Sequence, residues 1–459
     1  MTIKPSVRIT NIGIDIFALV CLIAPFVSPP AVRGNDIGGP HLLYAVYDMP
    51  DNEHLRLAPT KLDGLDDDRF LERIQFDYAR VYLFSFPREA RTEIDAFIAP
   101  LYCMASERGW VDRETAAEWV LKLLRQYEKA ETARGIFPRM FNRTTGKRIQ
   151  GQPYDIVGTG FFACSTMLFI RPYFDADNPT ETEIRELASK IYERIDFNYA
   201  YDSDRECFWW NKNGDDPSQF DGKPLRDWFD ETFSLQLIAL SSPSWDHDDD
   251  AYDTYTSTMK WESAYGYDYF MDRQLGYLLM PHLWFDFRDY RDRVCRTRRT
   301  DYFENTRRAV MSHIAYAQKN PGDYPYYGDV WGFYDCESPL TGKWTVMGLP
   351  PEGEVDEGTV SLSAVISSIS FEPEQTMSCL RTLYRKFKHK GIYTDKGFMM
   401  SVNTKTGLVA RGPDEFFLPI NALMIENYRS NLFWDLAKQA PEYKTAFEGA
   451  GLKPSRSKR

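Results

Sequence analysis

Glu231 stands in a setting that favours acid catalysis. It follows the stretch Trp228-Phe229-Asp230 and precedes an apolar run that begins at Phe233. Apolar and aromatic neighbours raise the pKa of a carboxyl group toward that of a usable proton donor. Hydrolysis of a glycosidic bond needs one such donor and a second carboxylate on the opposite face of the sugar. An acidic residue on a first helical turn is also common because the helix dipole favours it, so both interpretations of Glu231 stay open here.

Aromatic residues in segments without helical periodicity are the next candidates. Trp331 lies close to Tyr334-Asp335, and Trp209-Trp210 lie in an earlier segment of the same kind. Aromatic rings offer apolar faces on which a sugar ring can stack, and Tyr and Trp add a polar edge. We therefore predict that Trp331, Tyr334, Asp335 and Trp209 contact a sugar. Most of the other aromatic residues are expected in the core.

A third group of candidates lies within two helical turns. It consists of His282, Trp284, Asp286 and Arg288, and His282 and Asp286 share a face of a helix because they are four residues apart. One interpretation makes His282, Trp284 and Arg288 a wall of a sugar site. The other makes the group a buried ion pair or hydrogen-bonded network that holds neighbouring helices together.

Helical periodicity recurs along the chain and would position these residues. It predicts about twelve helices and no sustained strand alternation, which indicates an all-α fold of paired helices. Four long irregular segments separate the helices, and loops of such length are uncommon in compact domains unless they are functional. We expect these loops on one face. The predicted helices are residues 70–82, 93–104, 115–127, 157–173, 181–195, 227–240, 267–287, 301–318, 359–370, 373–387, 415–427 and 431–439, and the long segments are residues 135–153, 201–226, 242–265 and 320–356.

Charge and cysteine content exclude several classes of partner. The chain has 459 residues, and its 67 acidic residues outnumber 55 basic ones, so the formal net charge is −12. Such a chain would be repelled by nucleic-acid phosphates. After residue 31 its cysteines are widely spaced, with no CxxC pair and no clustered His. We therefore predict no metal site and no cofactor.

The first thirty residues are typical of an export signal. Lys4 and Arg8 precede an apolar run over residues 16–27 that is too short to span a bilayer but suits a signal peptide. Ala31 offers a cleavage point, so we expect a periplasmic or secreted protein without a membrane span. An uncleaved N-terminal anchor is the alternative. The predicted organisation is a signal peptide or anchor at residues 1–31, an irregular lead-in at 32–68, one helical domain at 69–445 and a basic tail at 446–459.

Residues 97–438 carry a series of motifs in a characteristic order. His282-x-Trp284-x-Asp286-Phe287-Arg288 is similar to H-x-W-x-D-F-R, and residues 301–309 are similar to Y-F-E-N-S-R-x-A. The series resembles the glucoamylase-like domain of the bacterial endo-β-1,2-glucanases, which are glycoside hydrolase family 144 and its relatives. It continues with Trp331-Gly332, Glu357-Gly358-Thr359, Phe371-x-Pro373-Glu374, Gly397-Phe398 and residues 424–430.

This resemblance implies an (α/α)₆ toroid, a double barrel of about twelve helices, with a glucan in a cleft formed by loops at one end. It also implies hydrolysis with inversion of the anomeric centre. In the family, a helix that begins with asparagine-glutamate supplies the probable general acid. Asp230-Glu231 stands at that place in this chain, so the resemblance assigns the acid to Glu231.

Several family carboxylates are replaced, which marks the chain as a divergent member. The family motif E-V-S-x-I-D-T appears with Gly158 in place of its Asp and with Asp155 nearby, and G-F-x-D-A-F-N appears with Met400 in place of its Asp. The D-G-T motif begins with Glu357. We predict Glu357 as the first candidate for the general base and Asp155 as another; Asp356, Asp335 and Asp414 are the remaining acids.

Two functions follow from this pattern. The first is a glycoside hydrolase that acts on a β-glucan, with β-1,2-glucan as the first substrate to test. The alternative is a catalytically inactive glycan-binding or glucan-assembly protein on the same fold, because several acids are missing. The partner expected in either case is an oligo- or polysaccharide.

Overall fold

Helices dominate the computed structural model, which describes residues 61–83, 88–247, 250–272, 274–349 and 356–455. All of them belong to one compact unit, and the predictions for residues 1–31 lie outside the described residues. In chain order the helices are α1 (Asp67–Ala79), α2 (Thr92–Glu107), α3 (Arg113–Lys129), α4 (Ile156–Cys164, continued by a π-helical segment Ser165–Ile170 and by Arg171–Tyr173), α5 (Pro179–Glu193), α6 (Phe197–Ala200), α7 (Phe233–Leu240), α8 (Asp250–Thr258), α9 (Leu275–Leu279), α10 (Pro281–Trp284), α11 (Arg293–Arg298), α12 (Tyr302–Lys319), α13 (Leu362–Ser367), α14 (Pro373–Phe387), α15 (Phe417–Ser430), α16 (Leu432–Gln439) and α17 (Pro441–Gly449).

The helices form an inner and an outer layer. All residues of α4 from Ile156 to Ile170 are buried, as are all those of α13, whereas α3 buries only an apolar stripe. A helix that is apolar all round must be surrounded by other elements, and a striped helix covers a core from one side. Helices α2, α4, α7, α9–α10, α13 and α15 contact one another in that order, and α15 contacts α2. The inner helices therefore follow one another in a closed cycle, with α1, α3, α5, α8, α12 and α14 as their outer neighbours.

Short antiparallel strands lie between the helices of this mostly helical fold. They are β1 (Glu89–Arg91), β2 (Met140–Asn142), β3 (Tyr154–Asp155), β4 (Tyr201–Asp202), β5 (Cys207–Lys212), β6 (Phe220–Pro224), β7 (Trp261–Ala264), β8 (Tyr267–Phe270), β9 (Tyr290–Arg291), β10 (Cys336–Glu337), β11 (Trp344–Thr345), β12 (Thr359–Ser361), β13 (Tyr393–Thr394), β14 (Gly397–Phe398), β15 (Ser401–Asn403) and β16 (Lys453–Pro454). Most have two or three residues, which is too short for an alternating pattern to be recognised.

Three of these strands fix the entrances to inner helices. β1 pairs with β2 and leads into α2, β3 pairs with β5 and leads into α4, and β12 pairs with β15 and leads into α13. The largest sheet has the order β3-β5-β4, with β6 also paired to β5. Strands and sheets thus collect at the N-terminal ends of inner helices.

Several helix boundaries differ from the sequence prediction. The predicted helix at 267–287 is strand β8 followed by α9 and α10, because Pro281 lacks the N–H that would continue one helix through this region. The segment 242–265, predicted as a loop, contains the outer helix α8, whose polar sequence shows little apolar periodicity. The predicted tail at 446–459 begins inside α17 and then supplies β16, which pairs with β9.

The motif around His282 lies at the C-terminal end of an inner helix and fastens the last helices of the fold. Trp434 donates its indole N–H to the carbonyl of His282 at 2.7 Å, and Lys438 donates to Asp286 at 2.6 Å. Arg288 pairs with Asp286 at 2.7 Å. Trp284 is fully buried and stacks on Phe97.

These contacts correct the prediction that His282, Trp284 and Arg288 form a sugar-binding wall. Trp284 presents no face to solvent, and burial lowers the pKa of His282 to about 3, so this histidine is neutral and does not form an ion pair. His282 shares a hydrogen bond of 2.8 Å with Thr306 instead. The contacts of His282, Trp284 and Asp286 favour the second of the two predicted roles, that of a network that holds helices together, while the Arg288 side chain is 40% exposed. Among the described residues, no helix combines the length and apolar content of a bilayer-spanning segment.

Glu426 closes the cycle of inner helices. Its buried carboxylate accepts two hydrogen bonds of 2.8 Å from Arg108 at the end of α2 and one of 2.7 Å from Gln75 in α1. We expect Glu426→Ala to lower the free energy of unfolding by about 3–5 kcal/mol, because it leaves the Arg108 charge without its buried partner. Urea denaturation measures the change, and Glu448→Ala on the exposed face of α17 is the control. An unchanged midpoint for Glu426→Ala would show that this ion pair does not stabilise the fold.

Candidate active site

Acidic residues stand at the N-terminal ends of five inner helices. Free backbone N–H groups and the helix dipole make such ends favourable for carboxylates. The charge of Asp155 acts on Glu93, the charges of Asp230 and Asp272 act on Glu231, and the charges of Asp414, Asp335 and Glu231 act on Tyr334, so acids from different inner helices lie near one another. The set consists of Glu93 in α2, Asp155 before α4, Asp230 and Glu231 before α7, Asp272 before α9 and Asp414 before α15.

Glu231 is the group whose ionisation is most strongly opposed. Burial, and then the neighbouring charge of Asp230, raise the pKa of Glu231 well above its ordinary value. Its Oε2 atom has no hydrogen-bond partner, although the residue is buried. Asp230 is held by the backbone N–H of Thr232 at 2.9 Å and by the Thr232 hydroxyl at 2.6 Å. Glu231 therefore has a free oxygen and an environment that favours its protonated form, which is what a proton donor requires.

Asp272 lies near Glu231 and was not singled out by the sequence. Burial raises the pKa of Asp272 to about 7, and the charges of Asp230 and Asp335 contribute. The side chain nevertheless remains partly exposed, so solvent can reach it. The backbone N–H of Gln274 donates to it at 2.7 Å. The position of Asp272, three residues before an apolar helix, is the signal that could have identified it.

Asp155 and Glu93 form a second carboxyl pair. Burial raises the pKa of Asp155, and both burial and the charge of Asp155 raise the pKa of Glu93. Arg139 lies 3.7 Å from Asp155 and donates to Asn211 at 3.3 Å, so it supplies a positive charge beside the pair. Glu93 is partly exposed, and it too was missed by the sequence prediction.

The geometry at Gly158 explains how a family aspartate came to be replaced. A Cβ atom on Gly158 would lie 2.6 Å from Oδ2 of Asp155 and 3.1 Å from the backbone nitrogen of Glu93. The Gly158 N–H donates to Asp155 at 2.9 Å. Because Asp155 occupies this space, a side chain at 158 and the present position of Asp155 exclude each other.

Tyr334 lies between the carboxyl groups of three elements. Burial raises its pKa, and the nearby charges are those of Asp414, Asp335 and Glu231. A Cβ atom on Gly276 would lie 2.4 Å from the Tyr334 ring, so only glycine at 276 leaves room for this position. Tyr277 donates to Asp335 at 3.2 Å. Tyr334 and Asp335 are thus brought to the recess that contains Glu231, although both are buried.

Asp414 and Glu357 complete the set of candidate bases. Burial raises the pKa of Asp414 to about 6, and Ser363 donates to Asp414 at 3.1 Å. Glu357 accepts a hydrogen bond from Thr359 at 3.0 Å and another from Ser338. The charges that most affect the pKa of Glu231 are those of Asp230, Lys223 and Asp272.

The two tryptophans predicted to contact a sugar differ in their exposure to solvent. Trp331 is 1% exposed and lies in the core, which corrects its assignment as a sugar contact. Trp209 is partly exposed on β5 and donates to Asp202 at 3.0 Å. The ammonium group of Lys223 lies over the ring of the neighbouring Trp210, 4.9 Å from the ring centre. The charge of Lys223 also lowers the pKa of Glu231, so the cation beside Trp210 acts on the candidate acid.

Metal binding has no support among the residues described. They contain no group of three or more His, Cys, Asp or Glu side chains arranged to hold a metal ion. The six cysteines of this part of the chain are free and buried.

Comparisons with known proteins show what the chain as a whole is similar to. Residues 226–441 match the family model described as "Putative glucoamylase". The exo-β-1,2-glucooligosaccharide sophorohydrolase (non-reducing end) of Parabacteroides distasonis is 24% identical over 372 residues, which cover 73% of this chain and 49% of that protein. The chain therefore spans about half the length of this curated relative.

Solved structures share the mostly helical fold. The endo-β-1,2-glucanase from Chitinophaga pinensis, in complex with sophorotriose and glucose, aligns with a TM-score of 0.76 at 20% identity over 85% of this chain and 99% of that chain. The endo-β-1,2-glucanase from Talaromyces funiculosus, in complex with sophorose, aligns with a TM-score of 0.55 at 12% identity over 84% of this chain and 92% of that chain.

Because Glu231 is buried, we predict that replacing its carboxyl group with a neutral amide stabilises the protein, and that the gain depends on pH. The pKa of Glu231 is raised in the folded protein, so above about pH 4.5 the unfolded chain releases a proton that the folded chain retains. The contribution of this group to stability therefore falls as pH rises. We expect Glu231→Gln to raise Tm at pH 8 by about 2 °C or more, and by less at pH 4.

Scanning calorimetry at both pH values measures this difference. Glu186→Gln is the matched control, because Glu186 is exposed on the outer helix α5. A Tm for Glu231→Gln that is lower than that of the unmodified protein at pH 8, or the same shift at both pH values, would contradict the raised pKa.

Proposed function

We propose that the chain is a divergent member of the glucoamylase-like family and a glycoside hydrolase that acts on a β-glucan, with β-1,2-glucan as the first candidate. The observation that carries this proposal is the carboxyl-lined recess, where buried Glu231 favours its protonated form beside the partly exposed Asp272. The β-1,2-glucan linkage is the one named for the curated relative and for the solved glucanases. Residues 1–31 support the further proposal that the protein acts outside the cytoplasm.

The fold proposed for this function is an (α/α)₆ toroid. The cyclic order of contacts among the inner helices supports it, as does the outer helix beside each inner one. In such a toroid the recess at the N-terminal ends of the inner helices would receive the glucan. The long segment with β2 would reach this end because β2 pairs with β1, which leads into α2. The segment with β5 would reach it because β5 pairs with β3, which leads into α4. The segment with β10 contains Asp335.

The carboxyl groups divide into an acid and a base for an inverting mechanism. Glu231 would donate its proton to the glycosidic oxygen as the bond from that oxygen to the anomeric carbon breaks. An ionised carboxylate would take a proton from the water that attacks the anomeric carbon from the opposite face. We assign this base to Asp272, because it is partly exposed and close to Glu231. Glu357 and Asp155 remain the alternative bases that the sequence predicted.

Removal of the acid should abolish turnover without unfolding the protein. We expect Glu231→Gln to reduce kcat on β-1,2-glucan by about a hundredfold or more, the usual contribution of general acid catalysis. Release of reducing sugar from linear β-1,2-glucan measures turnover, and Glu186→Gln is the control with the same chemical change. Retained turnover in folded Glu231→Gln would remove Glu231 from the mechanism.

The pKa of Asp272 determines the predicted pH profile. A base works in its ionised form, so kcat/KM should rise about tenfold per pH unit below pH 7 and level off above it. Asp272→Asn should lower kcat/KM by about a hundredfold or more and remove this rise. A rise of kcat/KM with pH that persists in Asp272→Asn would contradict our assignment. In that case, the pH profiles of Glu357→Gln and Asp155→Asn would show which of these residues is the base.

The replaced family acids favour a second candidate, a glycan-binding protein without catalysis. Gly158 and Met400 stand where the family has aspartates. Calorimetric titration with β-1,2-glucan beside the turnover assay separates the two functions. Binding without release of reducing sugar from the unmodified protein would support the binding protein and contradict the hydrolase.

A further inference from the structure

A second depression lies on the sheet that borders the recess. It has a volume of about 560 Å³, within the range of small-molecule sites, and its lining includes Arg134, Asp196, Tyr199, Lys212 and Phe220. Lys212 is the last residue of β5 and follows Asn211, which binds Arg139 beside Asp155. Successive side chains on a strand point to opposite faces, so the depression lies on the face of the sheet turned away from the recess.

Lys212 is a buried cation. The residue is 3% exposed, and its ammonium group forms no ion pair with a carboxylate in the described part of the chain. The ammonium group instead lies 3.5 Å from the centre of the Phe220 ring and 4.2 Å from that of Tyr199. Cation–π contacts offset part of the cost of burying a charge. Burial lowers the pKa of Lys212 to about 8, so the group still carries its charge at neutral pH.

Arg134 adds a second cation beside the first. Its guanidinium group lies 4.8 Å from the centre of the Tyr199 ring and 3.5 Å from Asp196. The carboxylate of Asp196 thus pairs with Arg134, and it also accepts a hydrogen bond of 3.0 Å from the backbone N–H of Tyr199. The other carboxylate that acts on Lys212 is Asp202, which accepts a hydrogen bond from Trp209. The nearby acids are therefore already engaged, and the ammonium group of Lys212 is left to meet a negative group from outside.

We propose that this depression binds an acidic sugar unit, whose carboxylate or phosphate group would pair with Lys212 and Arg134. The volume exceeds what a free anion fills. Asp196 and the hydroxyl of Ser218 line the rest of the depression and can hydrogen-bond to sugar hydroxyls. The site is separate from Glu231, so the proposal does not depend on hydrolysis at the recess.

Isothermal titration of the full chain with glucuronate, glucose and acetate at low salt tests this proposal. We expect glucuronate to bind about tenfold or more tightly than either glucose or acetate, because only glucuronate combines the anion with the sugar. Equal binding of glucose and glucuronate would show that the cations do not recognise the ligand. Equal binding of acetate and glucuronate would show an anion site without a sugar, and either result would overturn the proposal.

Variants locate the bound ligand. Lys212→Met, and independently the more exposed Arg134→Gln, should weaken glucuronate binding by about tenfold and threefold respectively. Lys190→Met, which removes an exposed cation from α5, should leave it unchanged. Glucuronate binding that persists in folded Lys212→Met, or that is lost in Glu231→Gln, would place the ligand elsewhere and contradict the proposal.

Discussion

The whole arrangement depends on the cost of gathering carboxyl groups at one buried place. Like charges repel, and burial removes the water that would screen them, so such a cluster resists ionisation. The inner helices reduce the free-energy cost of this cluster. Their N-terminal ends provide N–H groups and the positive end of the helix dipole to Asp155, Asp272 and Asp414. Arg139 and Lys223 supply the cations. A group of acids with graded proton affinities is the result, which is the property that acid–base catalysis uses.

The carboxylates at the two ends of the inner helices therefore differ in how fully they are hydrogen-bonded. At the N-terminal ends, polar groups are left under-satisfied, as the free oxygen of Glu231 shows. At the C-terminal ends, Asp286 and Glu426 are fully engaged by cations and amides. The engaged ion pairs hold the helices in a fixed cycle, and this rigidity keeps the costly carboxyl groups together. Stability at one end of the fold supports reactivity at the other.

Sequence and structure agree where local context decides the outcome. The apolar surroundings of Glu231 are visible in its immediate neighbours, and the motif series resembles the family whose model matches residues 226–441. Asp272 and Glu93 were missed because each looks like an ordinary acid near a helix terminus; only the convergence of separate helices brings them to one recess. Trp331 was misjudged because its segment lacks periodicity, and an irregular segment was taken as exposed although its tryptophan packs inward. Burial of a loop residue depends on distant elements, which no local pattern contains.

The six buried cysteines bear on how this chain can mature. Burial raises the pKa of the Cys103, Cys295 and Cys379 thiols, so they resist forming the thiolate that attacks disulfides. No pair among the described cysteines is bridged. Once folded, the described part of the chain keeps these thiols buried and away from oxidants in its surroundings. Before folding, the thiols are exposed, and in an oxidising compartment they would be able to pair wrongly. Rapid collapse of the chain would then protect the yield of native protein in such a compartment.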